Sequence, residues 1–374
     1  MHQKPRHSIV HKVLELFPLA WNHLSSSACR IFGRRTGSTS AKNALAGLVI
    51  VLSLFTFAEA QSREKVTVGA LRFSSSGPLF LAKERGYFTD ENLDVEIVFF
   101  EAAPSIATAV VSGDLTFGVA ALSGALFNLA ARGQIKLVAG QAREEKGFPG
   151  NMILVTKAEF EGGVTRLDQL FTKPFGLTQI GSPSHYQLGQ LADLHGVPLR
   201  SIAVQPFQTL PNLIAALKAN RVSWAIIAPP VATELIDAGA VVRIANYADY
   251  GGFQFGGVFA ATNTLEHRGD TVRQFLRAYK RGLQDYAILN GRDDSIADRR
   301  AQADDTAAII AKYINPNESP ETARKKVQGS ALYVDPTGHI DARDLARQIK
   351  WYFENGFITQ ELDPDAIIRL EFLN

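Results

Sequence analysis

The sequence has a single cysteine, Cys29, among its 374 residues. Cys29 lies in an N-terminal segment that has the pattern of a leader, so the predicted mature chain carries no thiol. A chain without thiols excludes disulfide bonds, zinc sites built from cysteine and cysteine nucleophiles.

Catalytic and metal-binding motifs are missing as well. The sequence has no G-x-S-x-G, no Walker loop and no G-x-G-x-x-G. The glycine-rich stretch Gly251–Gly257 precedes a predicted strand, which is the wrong order for holding a phosphate. The sequence therefore predicts a protein that is not an enzyme, with no catalytic residue, no cofactor and no metal. The mature histidines, which show no metal-ligand spacing, are His185, His195, His267 and His339.

Residues 1–60 have the three zones of a secretory signal peptide. The apolar run from Ala44 to Phe57 spans 14 residues, too few for a bilayer core that needs about 20. It leads to the small-x-small site Ala58-Glu59-Ala60, so we expect cleavage near Ala60 and export to the periplasm, with a retained membrane anchor as the alternative. The basic zone before the run is unusually long, which favours a true start further downstream. Its basic residues are Lys4, Arg6, Lys12, Arg30, Arg34, Arg35 and Lys42.

Removal of the leader changes the charge of the chain. It takes seven of the 39 lysines and arginines and two of the 37 acidic residues, which leaves a net charge of −3. A mildly acidic protein is a poor match for nucleic acid or for an anionic membrane surface. The remaining chain, about 314 residues with ordinary apolar content, suffices for one large domain or two lobes.

Strands and helices alternate along the predicted mature chain, beginning with a β-rich run at Val66–Leu71 and a helix at Leu79–Arg85. Strands separated by helices of about ten residues indicate a largely parallel, doubly wound sheet. The pattern restarts at Phe175, and a strand at Val258–Thr262 returns to the first unit. We therefore expect an α/β fold of two doubly wound lobes joined by a hinge, with a helical C-terminal extension. The expected lobes are 61–160 plus 250–374 for the first and 161–249 for the second.

Each expected lobe carries one copy of a short pattern of helix end, turn and strand. Val111–Ala120 and Lys218–Ile227 match position for position, which favours two similar units of a hinged clamp. Beyond the returning strand, Asp270 and Asp341 are each expected to begin a helix. The second of these helices is expected to turn Leu345, Ile349, Tyr352 and Phe353 inward, with Trp351 as packing rather than as a ligand-stacking residue.

Several short motifs occur in one order along the chain: Gly77–Phe88, Gly113–Gly118 with Leu122–Leu126, and Leu213–Asn220 with Pro229-Pro230. In this order, the chain resembles the type II periplasmic solute-binding proteins of ABC importers, in their nitrate, sulfonate, taurine and thiamine-precursor branch. The resemblance implies a type II periplasmic binding fold and a small-molecule ligand held between the lobes. It also implies an ABC permease in the inner membrane as the partner of a monomeric protein.

The chain departs from this branch at two positions. The branch usually has an acidic residue where this chain has Thr116 and Ser223, just before a strand of each lobe. A hydroxyl can supply the same local hydrogen bond to the backbone. Fungal thiamine-pathway enzymes of the same fold carry a cysteine-rich motif. The predicted mature chain has no cysteine, which counts against a pyrimidine-synthesising enzyme here. A ligand-sensing subunit for a membrane receptor stays an alternative to transport.

Ligands of doubly wound sheets bind beyond the carboxyl ends of strands, where loops meet helix N-termini. Hydroxyls and free N–H groups at such places can hold an anionic head. The expected ligand is a small organic anion, with sulfonate, nitrate, carboxylate and aromatic or pyrimidine-type compounds as candidates. The candidate binding residues are Phe73, Ser74, Ser75, Ser76, Gly77, Ala121, Leu122, Ser123, Gln141, Arg143, Ser182, Ser184, His185, Tyr186, Pro229 and Phe255.

Several of these candidates have an ordinary structural alternative. Ser76 is equally well a helix N-cap, although capping explains only one hydroxyl of three. Arg143 is the one nearby cation for a carboxylate or sulfonate, unless it is a solvated loop residue. His185 is equally well a neutral surface residue, and Phe255 either stacks on a planar ligand or packs the hinge.

Overall fold

The computed structural model describes residues 63–291 and 298–373. The predicted signal peptide at 1–60, its cleavage site and Cys29 lie outside the described residues. Within the two described ranges, no helix is both long enough and apolar enough to cross a membrane.

The β-rich runs of the sequence form strands in which side chains alternate between the core and the outside. In the first strand, Val66, Val68 and Ala70 are buried while Lys65 is exposed. The strands are β1 Glu64–Ala70, β2 Leu93–Phe99, β3 Phe117–Ala121, β4 Ile135–Gly140, β5 Ala142–Glu144, β6 Met152–Thr156, β7 Phe175–Leu177, β8 Val204–Pro206, β9 Trp224–Ile227, β10 Val241–Asn246, β11 Phe253–Gln254, β12 Gly256–Ala261 and β13 Tyr333–Val334.

The first five-stranded sheet has the order β2-β1-β3-β12-β4. Strands β2, β1 and β3 are parallel, with Val68 opposite both Ile97 and Phe117. Strand β12 runs antiparallel to β3 and β4, so the returning strand predicted from the sequence is inserted in this sheet. The carboxyl ends of β1 and β3 consequently lie at one edge.

The second five-stranded sheet has the order β10-β6-β9-β7-β8. Strands β7, β8 and β9 are parallel, and β6 runs antiparallel to β9 and β10. By this pairing the chain crosses from the first sheet to the second before β6, rather than after residue 160. The crossing lies in residues 145–151 because Gly147, Pro149 and Gly150 interrupt regular structure there.

A third, small sheet of order β11-β5-β13 lies where the chain crosses between the two larger sheets. Its strands have only two or three residues, and the sequence does not predict them. Phe253 pairs with Glu144 on one side of β5, and Tyr333 pairs with Arg143 on the other. The third sheet thus ties the crossing segments to the C-terminal part of the chain.

Capping side chains and prolines mark the starts of several helices. Ser123, Thr209 and Asp341 each accept a hydrogen bond from a backbone N–H of the first turn. The prediction that Asp270 caps its helix is wrong, because the helix begins one residue earlier and Asp270 pairs with Arg273 in solvent. The helices are α1 Gly77–Glu84, α2 Tyr87–Asp90, α3 Ala103–Ser112, α4 Gly124–Ala131, α5 Lys157–Glu161, α6 Leu167–Leu170, α7 Pro183–Leu194, α8 Leu210–Lys218, α9 Pro229–Asp237, α10 Thr262–His267, α11 Gly269–Tyr286, α12 Arg299–Ile314, α13 Pro320–Ser330, α14 Ala342–Glu354 and α15 Pro364–Ile367.

The two matching segments of the sequence adopt the same local structure, so the predicted repeat is confirmed. Each ends a helix and turns through a residue of positive φ, which is 87° at Gly113 and 54° at Asn220, before it enters a strand. Thr116 Oγ1 accepts a hydrogen bond from the Thr67 N–H of the neighbouring strand β1 at 3.3 Å, rather than making the local backbone bond expected of it. Ser223 differs, because its hydroxyl donates to a side-chain carboxylate of α5 at 2.8 Å.

The inward face of helix α14 differs from the prediction at its end. The other residues predicted to face inward are buried, but Phe353 is 39% exposed. Trp351 is the buried ring instead, because it packs on Gly189 of α7, where an added Cβ would overlap the indole. Trp351 is therefore a packing residue, and through it α14 packs against α7, which follows strand β7 of the second sheet.

Candidate ligand-binding site

A cavity of about 150 Å³ lies between the two larger sheets. The loops that follow the parallel strands β1 and β3 meet at one edge of the first sheet, as expected for a doubly wound fold. The loop after β7 and the start of α7 face them from the second sheet. The predicted binding residues that line this cavity are Phe73, Ser75, Ser76, Ala121, Ser123, Gln141, Ser182, Ser184 and Phe255.

The serine-rich turn after β1 borders the cavity with Ser75 and Ser76. Ser74–Ser76 form a single 3-10 turn, and all three side chains are buried. The Ser74 hydroxyl donates to the Ser330 carbonyl at 2.9 Å and is used inside the protein. Ser76 occupies the N-cap position of α1 without making a capping hydrogen bond, and its Oγ has no partner in the described structure. The Ser76 hydroxyl is therefore not used as a cap.

The loop between β7 and α7 supplies the opposing wall. The hydroxyls of Ser182 and Ser184 line the cavity 3.0 Å apart and are hydrogen-bonded to each other. The Gly181 carbonyl accepts a hydrogen bond from the Gly124 N–H at 3.0 Å. Because Gly124 begins α4 beside the first sheet, this bond brings the two walls into direct contact.

A buried carboxylate organises two amides where the chain crosses between the sheets. The Glu144 carboxylate accepts hydrogen bonds from the Asn151 N–H at 3.0 Å and from Gln187 Nε2 at 3.3 Å. Gln187 Oε1 in turn accepts from Asn151 Nδ2 at 3.1 Å. Burial raises the pKa of the Glu144 carboxyl to about 7, and the two hydrogen bonds to it offset only part of that rise.

We expect Glu144→Gln to change how stability depends on pH. The raised pKa means that the folded protein keeps a proton that the unfolded chain releases near pH 4.5, so the free energy of unfolding falls as the pH rises from 4.5 to about 7. That loss is on the order of 3 kcal/mol for this carboxyl, and glutamine removes it. In thermal denaturation between pH 4.5 and 8, the Tm of the variant should increase relative to that of the wild type as the pH rises.

Glu145→Gln is the control for this experiment, because it removes a partly exposed carboxylate at the next position. The pH-dependent gain is expected for the Glu144 variant and not for this control. Parallel pH profiles of the wild type and Glu144→Gln would show that the buried carboxyl does not bind its proton as described.

Three buried polar atoms of the lining have no partner in the described structure: Ser76 Oγ, Gln141 Oε1 and Asn151 Oδ1. A buried polar atom without a hydrogen bond costs about 1–3 kcal/mol, and native proteins rarely leave one unsatisfied. All three atoms belong to residues that line this one cavity.

The lining carries little charge. Among the described residues that line it, Glu101 is the one charged side chain, and it is exposed. Much of the remaining wall is apolar, with Leu71, Val119 and Ile226 among its residues. In the described part of the chain, no group of three or more His, Cys, Asp or Glu side chains could hold a metal ion.

Arg143 is not placed to meet a ligand in this cavity. It lies on the opposite face of β5 from Glu144, because successive strand residues point to opposite faces. Arg143 borders a separate groove with Tyr333 and Asp341. The predicted binding residues that do not line the cavity are Ser74, Gly77, Leu122, Arg143, His185, Tyr186 and Pro229.

His185 and Tyr186 are buried in an aromatic cluster rather than presented to a ligand. His185 Nδ1 accepts a hydrogen bond from the Gly181 N–H at 3.1 Å, and the His185 and Phe357 ring centroids are 4.5 Å apart. Burial lowers the pKa of His185 to about 4, so the ring is neutral at neutral pH. Tyr186 meets Trp351 edge-on at 5.2 Å. The neutral form expected for His185 is therefore found in the core and not on the surface.

Three other predicted residues, Gly77, Leu122 and Pro229, lie next to lining residues without lining the cavity themselves. Gly77 begins α1 where an added Cβ would lie 2.6 Å from the ring of Tyr286. Pro229 is the first residue of α9. The Leu122 N–H donates to the Phe255 carbonyl at 2.9 Å, which holds Phe255 at the cavity wall.

Asn151 and Gln187 line the cavity and were not predicted from the sequence. Gln187 lies three residues after Ser184 on the predicted helix. Residues with this spacing share one helix face, so the sequence contains a signal that Gln187 lies beside Ser184. Asn151 gives no such signal, because its place in the cavity depends on the hydrogen bonds of the buried Glu144.

Comparison with known proteins identifies the family. The NMT1/THI5-like family model matches residues 74–289, more than half of the sequence. The chain belongs to the NMT1/THI5-like family. The matched residues include the serine-rich turn, the crossings between the larger sheets at 145–151 and 247–252, and α7. A comparison with curated proteins gives no match.

The NMT1/THI5-like chain is similar in fold to solved periplasmic binding proteins. The alkanesulfonate-binding protein SsuA from Xanthomonas axonopodis pv. citri, bound to MOPS, has a TM-score of 0.65 at 18% identity, over 83% of this chain and 99% of that one. The aliphatic sulphonate binding protein SsuA from Escherichia coli has a TM-score of 0.61 at 18% identity, over 82% and 92%. The nitrate-binding protein NrtA from Synechocystis PCC 6803 has a TM-score of 0.65 at 12% identity, over 82% and 86%. The predicted α/β fold of periplasmic binding proteins is thus confirmed.

Proposed function

We propose that this protein is the periplasmic solute-binding subunit of an ABC importer, and that it passes a small organic compound to a permease in the inner membrane. The ligand classes are those expected from the sequence: sulfonate, nitrate, carboxylate, and aromatic or pyrimidine-type compounds. The proposal rests on the cavity between the larger sheets, where Ser76 Oγ, Gln141 Oε1 and Asn151 Oδ1 are buried without a partner in the described structure. A bound solute supplies the missing hydrogen bonds.

We propose capture rather than catalysis. Nucleophilic catalysis needs a nucleophile beside a base, usually a histidine or lysine. Among the described lining residues there is no histidine, lysine or cysteine, and Glu101 is the one acidic side chain. The predicted signal peptide supports a periplasmic location, and we propose that the mature protein acts there as a monomer without a cofactor.

Capture is proposed to work by closure of the two halves around the solute. The chain crosses between the larger sheets in residues 145–151 and 247–252, so both crossings can serve as a hinge. The hydrogen bond between the Gly124 N–H and the Gly181 carbonyl joins the two walls beside the cavity, as in a closed clamp. A solute that contacts both walls favours this closed form over the open one.

A thermal-shift screen of the purified protein tests the proposal. A ligand present at 100 times its dissociation constant adds about 2.7 kcal/mol to the free energy of unfolding, which raises Tm by a few degrees. We expect at least one of the sulfonate, nitrate, carboxylate and pyrimidine classes to produce this rise. A Tm that stays constant across all four classes would contradict capture of a solute from these classes.

Removal of both hydroxyls of the second wall is expected to weaken binding without unfolding the protein. In the double variant Ser182→Ala and Ser184→Ala, each lost hydrogen bond to the ligand costs about 1 kcal/mol, so affinity should fall by about tenfold or more. Calorimetric titration with the compound that gives the largest thermal shift measures this loss. Ser201→Ala, which removes an exposed hydroxyl, is the control. Unchanged affinity in the double variant would mean that the ligand does not contact this wall.

A further inference from the structure

Two amide oxygens set the polarity of the cavity. Gln141 and Asn151 are 2% and 5% exposed, and neither Gln141 Oε1 nor Asn151 Oδ1 has a partner in the described structure. Both residues line the cavity. A carbonyl oxygen of an amide accepts hydrogen bonds and cannot donate one. A ligand that satisfies both atoms must therefore bring hydrogen-bond donors.

The buried Glu144 carboxylate fixes which end of Asn151 faces the cavity. An ionised carboxylate only accepts hydrogen bonds, so Gln187 presents Nε2 to it, at 3.3 Å. Gln187 Oε1 then accepts from Asn151 Nδ2 at 3.1 Å, and the remaining Asn151 Oδ1 is left for the cavity. When Glu144 is ionised, the acceptor at position 151 thus follows from the negative charge behind it.

Some of the backbone N–H groups at helix starts around the cavity are already used or are missing. Helix starts ordinarily offer free N–H groups to anions. The Ser76 and Ser182 N–H groups donate to carbonyls of their own turns at 3.0 and 3.1 Å, and the Gly124 N–H donates to the opposing wall. Pro183 of α7 and Pro104 of α3, a further helix start, also line the cavity, and proline has no N–H.

No fixed positive charge in the lining compensates for these missing donors. Across the described ranges, the lining has no lysine, arginine or histidine, and its one charged residue, Glu101, is acidic. Arg143 borders the separate groove, with its Nε 3.8 Å from the Glu145 carboxylate. An oxyanion that entered the cavity would lose its water shell without gaining a countercharge.

We infer that the cavity selects an uncharged or singly cationic organic molecule with at least two N–H donors on an apolar body, such as an amide, an amidine or an amino-substituted ring, rather than an oxyanion. This inference rests on the proposed solute-capture function and narrows its ligand class. The N–H groups bind Gln141 and Asn151, and the apolar body packs against Leu71 and Phe255.

Two size-matched series of probes separate the ligand classes at pH 8, where Glu144 is ionised. Benzamide and benzamidine carry N–H donors, while benzoate and benzenesulfonate carry an oxyanion on the same ring. Acetamide, acetamidine, acetate and nitrate form the smaller series. In calorimetric titrations of the purified protein, the donor probes should bind at least about tenfold more tightly than the oxyanions of their series.

Two substitutions of Gln141 connect this selectivity to the site. Gln141→Leu removes the acceptor and should weaken binding of the donor probes by about tenfold or more, whereas the exposed control Gln302→Leu should not change it. Gln141→Glu keeps the size of the side chain and adds negative charge, so it should bind benzamidine more tightly than the wild type. It provides a second test if the leucine variant does not fold.

The outcomes distinguish the inference from the proposed function. Tighter binding of the oxyanions, unaffected by Gln141→Leu, would overturn the inference and leave solute capture intact. A folded protein that binds neither class would overturn solute capture and the inference together.

Discussion

Replacement of Trp351 by alanine is expected to destabilise the protein by roughly 3–5 kcal/mol, the usual cost of deleting a large buried aromatic side chain. Trp351 is 6% exposed, and its ring centroid lies 5.2 Å from those of Tyr186 and Tyr352. The space that it vacates borders Gly189, which has no side chain to fill it. Urea denaturation followed by circular dichroism measures the change in the free energy of unfolding.

Phe353→Ala is the matched control, because Phe353 is an aromatic residue of the same helix that is 39% exposed. Its truncation should cost no more than about 1 kcal/mol. If Phe353→Ala cost as much as Trp351→Ala, the packed face of α14 would be the one predicted from the sequence rather than the one described.

Ala121→Phe is expected to abolish ligand binding, with an affinity at least about 100-fold weaker, equivalent to about 2.7 kcal/mol. Ala121 is the last residue of β3, pairs with Gly256 of β12 and lines the cavity. A phenyl ring there takes up much of a volume of about 150 Å³, so the ring and a ligand cannot both fit. Calorimetric titration with the tightest ligand of the wild type measures the loss.

Ala238→Phe adds the same ring at an exposed position after α9 and should leave binding unchanged. A circular dichroism spectrum like that of the wild type checks that Ala121→Phe is folded. If the folded Ala121→Phe variant kept its affinity, the ligand would have to bind outside the cavity between the larger sheets.

The larger elements of the fold were predictable because they depend on local patterns. The alternation of buried and exposed residues in β1, and the turns at Gly113 and Asn220, are properties of short segments. The three-residue strand β5 was not predictable, because it forms only through pairing with Phe253 and Tyr333, which lie far away in the sequence.

The candidate site was predictable in its loops but not in the direction of each side chain. The hydroxyl-rich turns at Ser74–Ser76 and at Ser182 both reach the cavity, as their position after strands indicates. The sequence predicts Arg143 as a binding residue because it is the one nearby cation for a carboxylate or sulfonate. Its side chain lies elsewhere because the pairing of β5 determines which face it takes.

The aromatic cluster behind the second wall shows a similar limit. His185 and Tyr186 follow a loop that lines the cavity, yet they are buried because Trp351 and Phe357 from the end of the chain cover them. Helical periodicity indicates that α14 has an apolar face, but not which helix it covers. That contact depends on Gly189, which leaves room for the Trp351 ring. The sequence alone does not show that Trp351 packs there.

The claim that a small organic ligand binds between the two larger sheets is tested most directly by a crystal structure of the protein grown with its tightest-binding probe. We predict electron density for the probe in the cavity, with its N–H groups about 2.8–3.2 Å from Gln141 Oε1 and Asn151 Oδ1. Density for the probe at another position, with only water between Ser76 and Ser182, would contradict the claim.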